Sequence, residues 1–193
     1  FYGIEYEEFP ARIAEVAMWL IDHQMNMQIS NEFGQYFVRL PLKKSAKIVH
    51  GNALQMDWEN LVPKNELSYI FGNPPFIGKS NQNVEQKKDM NLVFQGISGI
   101  GVLDYVSAWY IKAAQLIQNS KIKVAFVSTN SIAQGEQVGI LWSILFIKYK
   151  IKIHFAHSTF KWQNEAKGNA GVHVVIIGFA NFDFDEKKIF EYE

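Results

Sequence analysis

The sequence contains no cysteine, carries no net charge and has no long apolar run. Without cysteine there is no disulfide scaffold and no cysteine-ligated zinc or iron–sulfur site. No stretch reaches the roughly 18 consecutive apolar residues of a membrane helix. The N-terminus has no basic patch followed by an apolar core, which reads against a signal peptide. The expectation left is a soluble, cytoplasmic globular unit with no membrane partner. Lysine plus arginine and aspartate plus glutamate number 19 each, so the total charge gives no sign of a nucleic-acid partner. The apolar content, by contrast, is ample. With 48% hydrophobic residues, including 15 Phe, 8 Tyr and 5 Trp, the chain can bury a sizeable core, and disorder is not expected. Its 193 residues match one domain or part of one.

Resolved along the chain, the neutrality is an average. Residues 1–38 hold six acids and only Arg12, and residues 183–193 hold five acids and two lysines. Residues 39–182 hold sixteen basic and eight acidic side chains, a net of +8. A basic middle of this kind is either a scatter of solvated lysines or a surface that faces phosphates.

Short β-rich runs alternate with helical ones. Strands are expected over 1–6, 47–50, 67–72, 122–128, 151–156 and 172–180, with 122–128 fully buried. Helices are expected over 9–26, 103–118 and 137–149. In the first helix Pro10 falls in the opening turn, where its missing N–H costs nothing. Phe9, Ile13, Val16, Ala17, Leu20 and Ile21 recur at helical spacing on one face. Such alternation implies a parallel sheet covered on both faces, with ligands at the carboxyl ends of the strands. The polar stretch 79–101 has little helical or strand patterning, is too long for a simple connector, and is expected to be either a functional loop or disordered.

The residues just after each strand are therefore the candidates. Asn73-Pro74-Pro75-Phe76 follows the strand 67–72. Two prolines lock φ and delete two N–H donors. The result is a stiff turn offering carbonyls, one amide and one ring, which suits a planar amino group; the competing reading is a rigid strand cap. Gly72 to Ser80 nearly spells a phosphate loop, but Gly72 and Gly78 enclose five residues instead of four, and the prolines remove amides such a loop needs. Glu5, ending the first strand, could accept both hydroxyls of a ribose, or be a surface acid beside Glu7 and Glu8. Asn52, after the second strand, could read an adenine edge, or simply shape the Gly51-Asn52 turn. Phe160 and Trp162, in a loop after the strand 151–156, could stack on a base, or pack at a strand end. His154 and His157 are expected on opposite sides of a strand; no metal site is expected. Glu165-Ala-Lys167 matches half of a nuclease signature by chance, without a preceding acidic strand.

Taken together, these elements resemble the class I S-adenosylmethionine-dependent amino-methyltransferases of DNA. Within them the chain is most similar to the adenine-methylating domain of the MmeI-like (type IIG/IIL) restriction–modification family. Tyr2-Gly3-Ile4-Glu5 resembles that family's second motif, and His50-Gly51-Asn52-Ala53-Leu54 with Asp57-Trp58 its third. Gly72 to Phe76 resembles the fourth, catalytic motif, and Leu103 to Val106 opens the fifth. Phe126 to Ile132 with Gly135-Glu136-Gln137 resembles the sixth, and Phe160 through Gly178 the eighth.

The resemblance implies a Rossmann-like α/β fold: a mostly parallel sheet with a C-terminal antiparallel strand. It also implies S-adenosylmethionine as cofactor, held by Glu5, Tyr6, Asn52 and Ala53. Asn73, Pro74, Pro75 and Phe76 would be the catalytic set, acting on a flipped adenine of double-stranded DNA, with Phe160 and Trp162 stacking on the base. Many relatives carry Asp where this chain has Asn52. The glycine-rich first motif would sit on a strand before Glu5, where this chain begins, so that first strand is expected to be absent. Residues 1–193 then read as a single methyltransferase domain, a fragment lacking that motif and the target-recognition region. Other parts of the parent chain, target recognition and possibly a nuclease, are its expected partners. Two alternatives stay open: transfer to an RNA guanine or a protein glutamine amide, and a non-catalytic module that binds DNA or a partner.

Overall fold

A computed structural model describes residues 1–34, 46–162 and 171–192. The chain divides into two compact units, Phe1–Val62 and Pro63–Glu193.

The first unit holds strand β1 (Tyr2–Glu5), helix α1 (Glu8–Phe33) and strand β2 (Lys47–His50). β1 and β2 pair in parallel, with Glu5 opposite His50, so both strands end at one edge. α1 starts as its proline position predicts but runs seven residues past Asn26, until Gly34 closes it in the left-handed conformation. Its apolar stripe does not form a core within this unit. Ala11 is its buried residue, while Phe9, Ile13, Leu20 and Ile21 are each more than half exposed.

The second unit holds β3 (Tyr69–Gly72), α2 (Val84–Val93), α3 (Ser107–Leu116), β4 (Lys123–Thr129) and α4 (Glu136–Ser143), then β5 (Lys152–Trp162), β6 (Val172–Ala180) and β7 (Lys188–Phe190). The strands order as β3-β4-β6-β5-β7. β3 pairs parallel to β4, and β5 parallel to β7, but β6 lies antiparallel to both β4 and β5. The sheet is therefore mixed.

The core lies under one face of this sheet. Along β4, Val124, Phe126 and Ser128 are buried, alternating with less buried residues. The run is half-buried rather than fully buried: Lys123 is exposed and Ala125, Val127 and Thr129 are only partly covered. Tyr110 of α3 stacks on Phe179 at 5.5 Å and meets Phe126 edge-on at 5.3 Å and Trp142 of α4 at 6.0 Å. On the other face Tyr69 and Phe71 of β3 are exposed, next to Lys123 and Ala125 in register. At the β5–β6 pair the ring of Phe155 lies across Gly178; a Cβ there would stand 2.1 Å from it.

Several boundaries besides the end of α1 differ from expectation. The helix expected over 137–149 is α-helical only to Ser143 and continues as a π-helical turn, Ile144–Lys148. The stretch 79–101 contains α2, opened by a capping box in which Asn83 and Gln86 exchange side-chain and backbone bonds at 2.9 Å. Its polar sequence hides the helix, since Asp89 is buried by bonding the Tyr105 hydroxyl at 2.6 Å. The segment 103–106 is not helical, and α3 starts at Ser107. β5 continues to Trp162 because two register shifts, at 153–155 and 157–160, absorb the residues that break its alternation. Among the described residues no helix is long and apolar enough to cross a membrane.

Burial raises the pKa of the Tyr110 hydroxyl well above its ordinary value, and its bond to Ser128 at 2.8 Å only partly offsets this. At alkaline pH the unfolded chain releases this proton while the folded chain keeps it, so stability falls as pH rises above about 10. Tyr110→Phe should lose about 1 kcal/mol at neutral pH from the missing hydrogen bond. Its melting temperature should also fall less steeply between about pH 9 and 11 than that of the parent, as thermal unfolding across that range will test.

Candidate active site

In the first unit the pairing of Glu5 with His50 brings Glu5 and the turn Gly51-Asn52-Ala53 to the same sheet edge. The Gly51 N–H donates to the Glu5 carbonyl at 2.8 Å, extending the ladder by one rung. Glu5 Oε1 accepts the Glu7 N–H at 3.2 Å, which leaves the half-buried carboxylate with further acceptor capacity. Tyr6 is mostly exposed beside it. Asn52 is committed locally: its Oδ1 accepts the Leu54 N–H at 2.9 Å, and its carbonyl accepts from Gln55 and Met56. This is an Asx turn, so the structural role expected of the residue is real. The Ala53 carbonyl accepts the Trp58 indole N–H at 2.8 Å, which fixes the turn.

In the second unit Gly72 is in register with Phe126, and Asn73 to Phe76 leave the sheet at its carboxyl edge. Asn73 and Pro75 are exposed, Pro74 is buried and Phe76 is half-buried. The Pro75 carbonyl accepts the Ile77 N–H at 3.2 Å, tightening the turn. The loop is then laced to the segment before α3. The Tyr105 N–H donates to the Ile77 carbonyl at 2.9 Å, the Lys79 N–H to Asp104 Oδ1 at 3.1 Å, and Gln82 Nε2 to the Leu103 carbonyl at 2.8 Å.

Phe160 and Trp162 lie within β5, not in a loop after it. Because β6 is antiparallel to both neighbours, Thr129 of β4 and Phe160 of β5 both face Val174. The carboxyl ends of β3, β4 and β5 therefore share one edge, and Asn73 to Phe76 lie at the same edge as Phe160 and Trp162. The Phe160 and Trp162 rings are 6.3 Å apart, and Phe160 also contacts Tyr192 at 5.1 Å. The histidines go elsewhere: His154 bonds the Phe182 carbonyl, and His157 stacks on Phe190 and bonds the Tyr192 hydroxyl. Glu165 and Lys167 lie outside the described residues, as does 163–170 of the stretch resembling the eighth motif. A depression of about 300 Å³ bordered by Lys64, Tyr69, Lys121 and Lys123 sits at the opposite, amino-terminal edge of β3 and β4, away from these residues.

The arrangement offers a rigid amide-and-carbonyl turn at the same sheet edge as the Phe160 and Trp162 rings. Comparison with known proteins gives the family. The model of the MmeI DNA-methyltransferase domain matches residues 1–191. The chain belongs to this family. DNA methyltransferase A of Bacillus subtilis (strain 168) is 46% identical to it over 187 residues, which are 95% of this chain and 21% of that protein. The DNA-bound structure of the type IIL restriction–modification enzyme MmeI matches all of this chain at 58% identity with a TM-score of 0.94, over 26% of its own length. A nuclease-deletion mutant of the type ISP enzyme LlaGI, at 16% identity and a TM-score of 0.51, shares the fold. This MmeI-type methyltransferase domain thus spans about a quarter or less of the relatives it matches.

Asp104 and Gln137 fall in the blocks resembling the fifth and sixth motifs, and local pattern assigns neither a role. The signal was a lone acid inside an apolar run, Val102-Leu103-Asp104-Tyr105-Val106, where an uncompensated charge would be costly. Gly135 has a clearer requirement. It enters α4 at φ 64°, ψ −150°, a region that side chains with a Cβ avoid. Gly135→Ala should destabilise the domain by about 1–3 kcal/mol, measured by urea unfolding.

Proposed function

We propose that this domain transfers a methyl group from S-adenosylmethionine to the exocyclic N6 of an adenine flipped out of double-stranded DNA, as the methyltransferase part of a restriction–modification enzyme. In this reading residues 1–193 act as one catalytic domain with a Rossmann-like, class I design. The observation that carries it is the rigid turn Asn73-Pro74-Pro75-Phe76, at the same sheet edge as Phe160 and Trp162.

The donor set fits the cofactor. The Glu5 carboxylate suits a ribose diol, and the Asn52 amide, with Tyr6 and Ala53 beside it, suits an adenine edge. Asn52 carries no charge, so its bond is weaker than an aspartate would make. When bound, S-adenosylmethionine supplies an electrophilic methyl on a sulfonium.

The chain's own residues prepare the acceptor. A base inside a duplex is out of reach, and unstacking it costs a few kcal/mol. Phe76 stacks on one face of the extruded base, and Phe160 or Trp162 covers the other, contributing about 1–3 kcal/mol per base. The side-chain oxygen of Asn73 and the carbonyl of Pro74 accept the two amino hydrogens. This draws the nitrogen lone pair out of conjugation with the ring and aims it at the methyl carbon. On transfer the methyl–sulfur bond would break as the N–C bond forms, its electron pair staying on sulfur. The same two oxygens would stabilise the positive charge gained by the nitrogen, and one amino proton would leave to solvent. Rate enhancement comes from positioning and fixed dipoles.

Asn73→Ala in the complete gene product should lower methyl transfer by at least about 100-fold while DNA binding persists. Incorporation of labelled methyl groups into unmethylated duplex DNA, with binding followed separately, is the test. Turnover near that of the parent would overturn the assignment. Duplex DNA should outperform RNA and protein acceptors in the same assay.

A further inference from the structure

Asp104 is 7% exposed, and both its carboxylate oxygens are used. Oδ1 accepts the Lys79 N–H from the loop that follows Phe76, at 3.1 Å. Oδ2 faces the hydroxyls at the end of β4: Ser131 donates to it closely, and Thr129 Oγ1 lies 3.4 Å away and 2.8 Å from the Ser131 oxygen. The Asp104 N–H donates to Gln137 Oε1 of α4 at 2.8 Å, and Gln137 is itself buried. The Asp104 carbonyl accepts from the Ser107 hydroxyl at 2.6 Å, tying Asp104 to the first residue of α3. One residue thus joins the candidate catalytic loop, the end of the neighbouring strand and two helices.

We infer that Asp104 is a positioning residue for methyl transfer: its carboxylate fixes the Asn73–Phe76 turn relative to the end of β4. This rests on the proposed catalytic role of that turn. The physical reason is that the turn cannot hold itself. Pro74 and Pro75 have no N–H to donate, and β3 stops at Gly72. The loop is therefore tied down just downstream, by the Lys79 N–H on Asp104 and the Tyr105 N–H on the Ile77 carbonyl. A buried carboxylate suits this task because bonds to a charged acceptor are about twice as strong as neutral ones. Its burial among three donors, the Lys79 N–H and the Thr129 and Ser131 hydroxyls, compensates the charge.

The test uses the complete gene product with S-adenosylmethionine and unmethylated duplex DNA. Asp104→Ala should lower kcat by about 100-fold, the cost of misplacing a reacting group by about 1 Å, with KM for cofactor and DNA unchanged. Asp104→Asn should recover most of that loss. Its oxygen still accepts the Lys79 N–H, and its amide can donate to the Thr129 and Ser131 hydroxyls, which accept in turn.

A second pair isolates the bond without touching Asp104. Lys79→Pro deletes the N–H together with the lysine side chain, and Gly78 before it, at φ −66° and ψ 156°, already has the conformation a following proline requires. Lys79→Ala loses the same exposed ion pair to Glu136 but keeps the N–H. Lys79→Pro should show a kcat at least about tenfold below Lys79→Ala. A folded Asp104→Ala protein with the parent's kcat, equal loss in Asp104→Ala and Asp104→Asn, or equal kcat in the two Lys79 variants would overturn the inference. Asn73→Ala separates the two readings: if it abolishes turnover while the Asp104 and Lys79 variants do not, only the positioning role fails; if it keeps turnover, the catalytic role of the turn fails and takes this inference with it.

Discussion

β6 lies between β4 and β5 and runs antiparallel to both, and the layout of the second unit depends on that placement. A strand antiparallel to two neighbours makes those neighbours parallel to each other. β3 is already parallel to β4, so three strands deliver their carboxyl ends to one edge. β6 can occupy the centre because it is heavily buried: Val174, Val175, Ile177, Phe179 and Ala180 are each no more than 5% exposed. The aromatic cluster of Tyr110, Phe126 and Phe179 then holds α3 against the sheet.

The carboxyl edge needs its own support, because polypeptide leaving a strand loses its ladder of hydrogen bonds. The proline pair makes the need greater by removing donors. The structure answers with side-chain and loop bonds from the segment 103–105, and with a carboxylate buried among hydroxyl and backbone donors. The same economy recurs in the first unit, where Asn52 and Ala53 shape the turn that presents them. In both units, residues assigned to ligand contact belong to sequence blocks that also build the edge.

Much of both units was legible in the chain. The strands 47–50 and 172–180 fall where alternation and turn residues put them, and β3 and β4 differ by only a residue or two. The proline pair fixed the end of β3. Harder to read were elements whose polar residues are satisfied by tertiary contacts. α2 looks like a loop because Asp89 finds its partner, Tyr105, in another segment. β5 looks shorter than it is because bulges interrupt its period, and β7 gains its partner only from β5. α1 shows the opposite case, a regular apolar stripe that local pattern predicts as core and that stands largely exposed in its own unit.

Local chemistry determined which residues are the candidates: a turn with two prolines, an acid at a strand end, an asparagine in a turn, and aromatics near a strand's end. Those properties depend on dihedral limits and hydrogen-bonding groups that each residue carries wherever it sits. Only the tertiary structure decided which of them share an edge, that Phe160 and Trp162 stand in a strand, and that Asp104 supports the loop rather than facing solvent. Those outcomes depend on strand order and on bonds between residues more than 20 positions apart, such as Asp104 with Lys79 and with Ser131, and no local pattern encodes such pairings.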